Sequence, residues 1–176
     1  RTDLLGEVLT AFRADYEALG GGQVILACSA CYQMFKTHLP DVPIVSLWEV
    51  FDAHGLPTAA TWPDEVPGSL AVHDPCTTRY ESEIQESARN LLRRMGVQIE
   101  ELPLNRNQTE CCSYGGLMWL ANRELAETVV QRRIAEHDAD YVTYCAMCRD
   151  FFADRGKPTL HLLDLLYEND LGFVKV

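Results

Sequence analysis

The sequence predicts an α/β fold: parallel sheets flanked by helices, in two pseudo-repeated units of which the first is incomplete. Three observations predict it. Short apolar runs of strand length alternate with segments of helical periodicity. One strand–Cys-x-x-Cys–helix segment occurs twice. The seven cysteines fall at predicted strand ends, at helix starts and in one loop.

The elements follow in order. Leu4, Leu5, Val8, Leu9, Phe12, Tyr16 and Leu19 recur at helical spacing until Gly20-Gly21-Gly22 stops the helix. Val24 to Ala27 is a strand ending at Cys28, and Cys31 to His38 a helix. Ile44-Val45 reads as a strand, followed by a helix through Trp48, Val50 and Phe51. Pro57, Pro63 and Pro67 mark a linker over 57–68. Beyond it Leu70-Ala71-Val72 is a strand running into His73-Asp74-Pro75-Cys76. Ile84, Ala88, Leu91, Leu92 and Met95 form a helix face, closed by Arg93, Arg94 and Gly96. Val97 to Leu102 alternates like a strand, Cys111 to Gly116 is a loop, and Leu117 to about His137 is expected to be the longest helix. Tyr141 to Tyr144 is a strand ending at Cys145, Cys148 opens a helix, and Leu160 with Leu162 to Tyr167 closes the pattern.

The two CxxC segments lie 117 positions apart. Beyond them, Pro43 to Val50 parallels Pro158 to Leu165 at an offset of 115, a two-residue loop difference. At the larger offset the counterpart of Cys111 would lie upstream of Arg1. The expected organisation is therefore the C-terminal half of a first repeat over 1–56, the linker 57–68, and a complete second repeat over 69–176. It would be a piece of a longer protein.

Composition excludes several classes. With 15 basic and 26 acidic residues the chain carries −11 at pH 7, which argues against a nucleic-acid partner. No apolar run is long enough for a membrane span. An odd cysteine count, two CxxC pairs and a CC doublet fit a secreted disulfide framework poorly, so a reducing cytoplasm is expected, with membrane association only through partners. No GxxxxGK[ST], GxGxxG, HExxH or GxSxG motif supports nucleotide, flavin or hydrolase chemistry.

The complete repeat reads Cys76, thirty-four residues, Cys111-Cys112, thirty-two residues, Cys145-x-x-Cys148. Cysteine between a strand end and a helix start favours the thiolate, because free amides and the helix dipole face it. Cys76 and Cys145 each follow a strand, where open α/β sheets gather ligands. Gly115 and Gly116 predict a tight loop turning both sulfurs of the doublet inward. Four thiolates leave a zinc site doubly negative and a fifth triply so, with only Arg79 and Arg149 nearby in sequence to offset it. A polynuclear iron centre spreads that charge, so five cysteines favour an iron–sulfur cluster over zinc.

The pattern C-x34-C-C-x32-C-x-x-C, headed by His73-Asp74-Pro75-Cys76, closely resembles the cysteine-rich CCG domain. That domain occurs twice in the cysteine-rich subunit of heterodisulfide reductase, and in the iron–sulfur subunit of glycolate oxidase and lactate-utilisation proteins. The resemblance implies a non-cubane [4Fe-4S] cluster, or in some members zinc, held by Cys76, Cys111, Cys112, Cys145 and Cys148. It implies an electron-transfer role beside flavin or ferredoxin-type redox subunits or domains, acting on a small disulfide or a 2-hydroxy acid. One departure stands out: the family's glycine after the doublet is Ser113 here.

Cys28 and Cys31 form a candidate half-site, with a thioredoxin-like redox pair as the alternative. For the whole chain the competing expectations are a zinc-binding structural or assembly module and a metal-free thiol–disulfide oxidoreductase. His73 and His161, each near a CxxC or ligand cysteine, are candidates to hydrogen-bond a cluster sulfur or move a proton, against the plainer reading of satisfied histidines at strand ends. Tyr80, Tyr114, Trp119 and Met147 flank the cysteines as candidate shields from water, against the plainer reading of ordinary core.

Overall fold

The computed structural model describes residues 2–56 and 68–167. The expected linker over 57–68 lies outside the described residues except for Gly68. The chain forms two compact units, Arg1–Leu47 and Trp48–Val176. The division falls upstream of the proline-rich stretch, since Trp48 is buried beside Tyr144 and His161 of the second unit.

In the first unit α1 (Thr2–Ala18) is followed by Gly20, Gly21 and Gly22, all at positive φ, a turn that side chains with a Cβ resist. Then come β1 (Val24–Leu26), α2 (Ser29–His38) and β2 (Ile44–Ser46). β1 and β2 pair in parallel with Val24 opposite Ile44. Phe12 of α1 meets Phe35 of α2 edge to face at 5.0 Å.

The second unit takes in α3 (Leu47–His54) from Trp48 onward, then β3 (Ser69–His73), α4 (Ser82–Arg94) and β4 (Gln98–Glu101). The short α5 (Met118–Ala121) leads to α6 (Arg123–Ile134), β5 (Tyr141–Thr143), α7 (Ala146–Ala153), β6 (Thr159–His161) and α8 (Asp164–Tyr167). The sheet runs β4-β3-β5-β6, all parallel. The fold is thus α/β with parallel sheets, as the alternation predicts. Tyr141 stands opposite Thr159, so the strand register of the second unit repeats that of the first at the offsets of 117 and 115 seen in sequence.

One expected element is different. The helix read from Leu117 to His137 is broken at Asn122, whose backbone is extended (φ −151°) and whose side chain accepts the Leu125 N–H at 3.0 Å. Asparagine caps a new helix better than it continues an old one. The longest helix is α1, with 17 residues.

Right-handed crossovers fix which face each helix covers. The chain moves from β3 out to β4, then back across to β5 and β6, so α4 lies on one face and α6 and α7 on the other. Both faces are buried, α4 through Ile84, Ala88, Leu91 and Leu92, and on the latter face Ala71, Tyr141, Val130, Phe151, Phe152, Cys112 and Cys148 pack together. Among the described residues no helix is long and apolar enough to cross a membrane.

Candidate metal centre

Reversal of strand order puts a crevice at the carboxyl ends of β3 and β5. Both strands deliver cysteine there. Pro75 ends β3's run, and Cys76 opens a 3-10 turn to Thr78. Cys145 caps α7, which carries Cys148 one turn on. The doublet arrives on the loop between β4 and α5.

The sulfurs meet across these elements. Cys76 Sγ lies 3.7 Å from Cys111 Sγ, and Cys148 Sγ 3.3 Å from Cys112 Sγ. Cys145 acts electrostatically on both Cys148 and Cys76. Among the described residues the sulfurs run in a chain, Cys76 to Cys111 to Cys112 to Cys148 to Cys145, and no three are grouped about a point for a single ion. Cys112 and Cys148 are buried, while Cys76, Cys111 and Cys145 are half-exposed. Cys111 is the sulfur whose neighbours favour the thiolate. The thiols of Cys112 and Cys76 and the Ser113 N–H, at 3.2 Å, donate to its sulfur and hold it at about 2. The same contact pushes Cys112 up to about 12 and raises Cys76, while Cys148 is raised chiefly by Cys112.

Ser113 takes the place of glycine in a backbone that wants glycine. Its φ is +71°, and its Oγ donates to the Ala126 carbonyl of α6 at 2.7 Å. That bond ties the doublet loop to the core helix and offsets part of the left-handed strain, about 1–2 kcal/mol per residue. The expected turn at Gly115-Gly116 is only partly so placed: Ser113, Gly116 and Leu117 have positive φ, and Gly115 does not.

Two buried arginines frame the crevice, one on each face of the sheet. On one side Arg89 of α4 donates to both Asp74 oxygens, and Asp74 also accepts from Tyr144 Oη at 2.8 Å and the Arg106 N–H at 2.7 Å. Asp74 thereby fixes the residues flanking Cys76 and Cys145 together. Burial opposes its charge, but Arg89 holds its carboxyl below the ordinary range. Burial likewise drives the Tyr144 phenol well upward, so it stays a donor. On the other side Arg133 of α6 donates from Nε to His73 Nδ1 at 3.3 Å. Burial, then the Arg133 charge, holds His73 at about 3, so the ring is neutral. Its Nε2 is buried with no hydrogen-bond partner among the described residues.

Sequence reasoning missed Arg89, Arg133, Asp74, Tyr144 and Thr109, which links the Asp74 carbonyl to the doublet loop. A signal existed: Arg89 and Arg133 stand on the apolar stripes of their helices, beside Ala88 and Leu92 and beside Val130 and Ile134. The arginines that sequence proximity offered are engaged elsewhere. Arg149 pairs with Asp150 and Asp164, and Arg79 donates to the Thr109 carbonyl.

Other expectations fare differently. His161 meets Trp48 at a tilt, its Nδ1 accepts the Leu163 N–H at 3.1 Å, and it faces the Tyr144 backbone, contacts that hold its own turn. Tyr80 is 82% exposed and shields nothing. Tyr114 and Trp119 both meet Phe151 edge to face, against the core that holds Cys148. Cys28 and Cys31 are exposed in the first unit, with the Cys31 N–H donating to Cys28 Sγ at 3.4 Å.

Residues 70–152 match the family model described as the CCG cysteine-rich domain. This stretch is a CCG domain. The match runs from β3 to α7 and takes in all five clustered cysteines. No curated protein matches the chain. The CCG assignment carries a metal- or iron–sulfur-binding role, and the donor set fits it. Five clustered thiols are a donor set suited to soft metals, and the buried His73 Nε2 has no partner among the described residues.

Proposed function

We propose that the chain is an iron–sulfur electron-transfer domain of an oxidoreductase, of the kind found in the cysteine-rich subunit of heterodisulfide reductase. In this reading Cys76, Cys111, Cys112, Cys145 and Cys148 hold a non-cubane [4Fe-4S] cluster. The observation that carries it is the sulfur contact between Cys76 and Cys111, 35 residues apart, at the mouth of the strand crevice. Charge supports a cluster over zinc. Five thiolates on one zinc ion would leave a triply negative site against an apolar core, and the buried Arg133 is already shared between Glu136 and His73.

A bound cluster supplies one-electron chemistry. The chain's own residues do the rest. Asp74 and Ser113 fix the two loops that bring sulfur in, and Phe151, Phe152 and Tyr141 exclude water from the inner side. The half-exposed sulfurs leave the outer side open to a partner redox subunit, flavin or ferredoxin-type, or to a small disulfide or 2-hydroxy acid. Cys28 and Cys31 are half of a second such site. The matching strand register of the two units supports that reading.

Anaerobic reconstitution of the full chain tests this. Iron and acid-labile sulfide in equal amounts, with a visible charge-transfer spectrum, are expected. Stoichiometric zinc without sulfide would overturn it in favour of a structural module. Thiol–disulfide exchange by metal-free protein, abolished by Cys145→Ala but not Cys76→Ala, would overturn it in favour of a thiol enzyme.

A further inference from the structure

We propose that residues 114–121 form a cover over the buried sulfurs Cys112 and Cys148, and that Arg155 is the positioning residue that holds it shut. The proposal rests on the iron–sulfur reading above only in what passes through the opening, since these two sulfurs are buried whatever they bind.

Three observations carry it. First, the cover lies against the sulfurs' own neighbours. Tyr114, two residues after Cys112, and Trp119 of α5 both meet the ring of Phe151, at 5.4 and 5.2 Å, and Phe151 stands three residues after Cys148. Trp119 packs against the group of buried side chains that contains both Cys112 and Cys148.

Second, the backbone is not helical at either end of α5. Gly116 and Leu117 are left-handed before it (φ +64° and +63°) and Asn122 is extended after it, so α5 can swing without unwinding α6. Leu117 is 70% exposed, so little packing around its side chain offsets the strain of that conformation. Leu120, 72% exposed, adds little more to hold the segment down.

Third, one side chain ties three helices together here. Arg155, just past α7, lies 4.6 Å from the centre of the Trp119 ring and 3.5 Å from that of Phe151. Its Nε donates to Glu127 of α6 and its Nη1 to the Phe151 carbonyl, each at 3.0 Å. Only 11% of this side chain is exposed, where the stack gains strength from desolvation. Arg123 lies 5.2 Å from the same indole but is exposed, which makes its contact weaker.

A segment held by few buried contacts opens at a lower free energy than the whole unit unfolds. With α5 lifted, the inner sulfurs meet solvent, and with Arg155 seated between the rings they do not. Loading of the inner half of the site, and protection of it once loaded, are set by the same stack.

Pulsed alkylation of the reduced, metal-free full chain with iodoacetamide, read cysteine by cysteine by mass spectrometry, tests this. In the wild type Cys112 and Cys148 are expected to react at a rate that low concentrations of denaturant leave unchanged, the mark of local opening. That measurement needs no variant, and a rate that rises steeply with denaturant from the start would overturn the proposal even if every substitution prevented folding. Arg155→Ala is expected to speed both reactions about tenfold, through loss of the buried stack, and to leave Cys76 unchanged. Arg155→Lys keeps the charge without the planar group and is expected to fall between. Trp119→Ala is expected to match Arg155→Ala, and the double variant to add nothing further. Unchanged rates in Arg155→Ala, or full additivity in the double variant, would overturn the assignment of Arg155. Failure of the wild type to take up iron and sulfide would overturn the cluster reading and leave the cover standing.

Discussion

Asp74 and Arg89 form a two-pronged ion pair, 2.8 Å at each prong, with neither side chain exposed to water. Neither residue carries sulfur, yet the pair sets where two of the clustered cysteines stand. Asp74 lies two residues before Cys76, and through Tyr144 it grips the residue before Cys145.

Asp74→Asn is expected to destabilise the second unit by about 3 kcal/mol, the low end for breaking a buried pair, because Glu101 still meets Arg89 at 2.7 Å. Chemical denaturation followed by tryptophan fluorescence measures this. A loss below about 1 kcal/mol would show that the carboxylate is replaceable.

The same pair gives a pH dependence of known sign. Asp74 in the folded chain titrates below its ordinary value, so its contribution is complete above the unfolded carboxyl pKa of ~3.9. It is lost as pH falls through the folded value. The stability gap between wild type and Asp74→Asn is therefore expected to narrow below about pH 4. Denaturation series at several pH values check it, and a gap that widens in acid would contradict the assignment.

Ser113→Ala is expected to cost about 1 kcal/mol, since it loses the bond to Ala126 and keeps the left-handed backbone. Ser113→Gly loses the same bond but relieves the backbone, so it should be close to neutral. Comparison of denaturation midpoints decides, and equal losses would mean that φ strain plays no part.

Cys111→Ala or Cys112→Ala is expected to abolish uptake of iron and sulfide, and Cys28→Ala to leave it unchanged. Metal and sulfide analysis after reconstitution measures both. Equal loss from Cys28→Ala would place that thiol in the same set.

The strands, their parallel pairing and the meeting of Cys76 with the doublet were legible in sequence, because short apolar runs ending in cysteine leave few topologies. The break at Asn122 was not, since the apolar spacing continues across it and only the side-chain cap interrupts the backbone. Glu101 reads as a solvated charge in sequence, but it closes the Arg89 network from β4, a contact that depends on strand order. The partner of Arg133 was hidden for the same reason. Sixty residues from His73, it reaches that ring only because β3 and α6 are stacked. Local spacing records which residues can be ligands; what surrounds them is decided by the crossovers.

Uneven burial of the five sulfurs has a chemical consequence in air. Cys76, Cys111 and Cys145 are half-exposed, so peroxide or an alkylating reagent meets these three before the other two. Cys112 and Cys148, sealed beneath Phe151 and Phe152, are protected. Damage to the metal-free protein should therefore begin at the outer sulfurs, and a sulfenic acid formed by peroxide at Cys111, 3.7 Å from the Cys76 sulfur, has a resolving thiol already at hand.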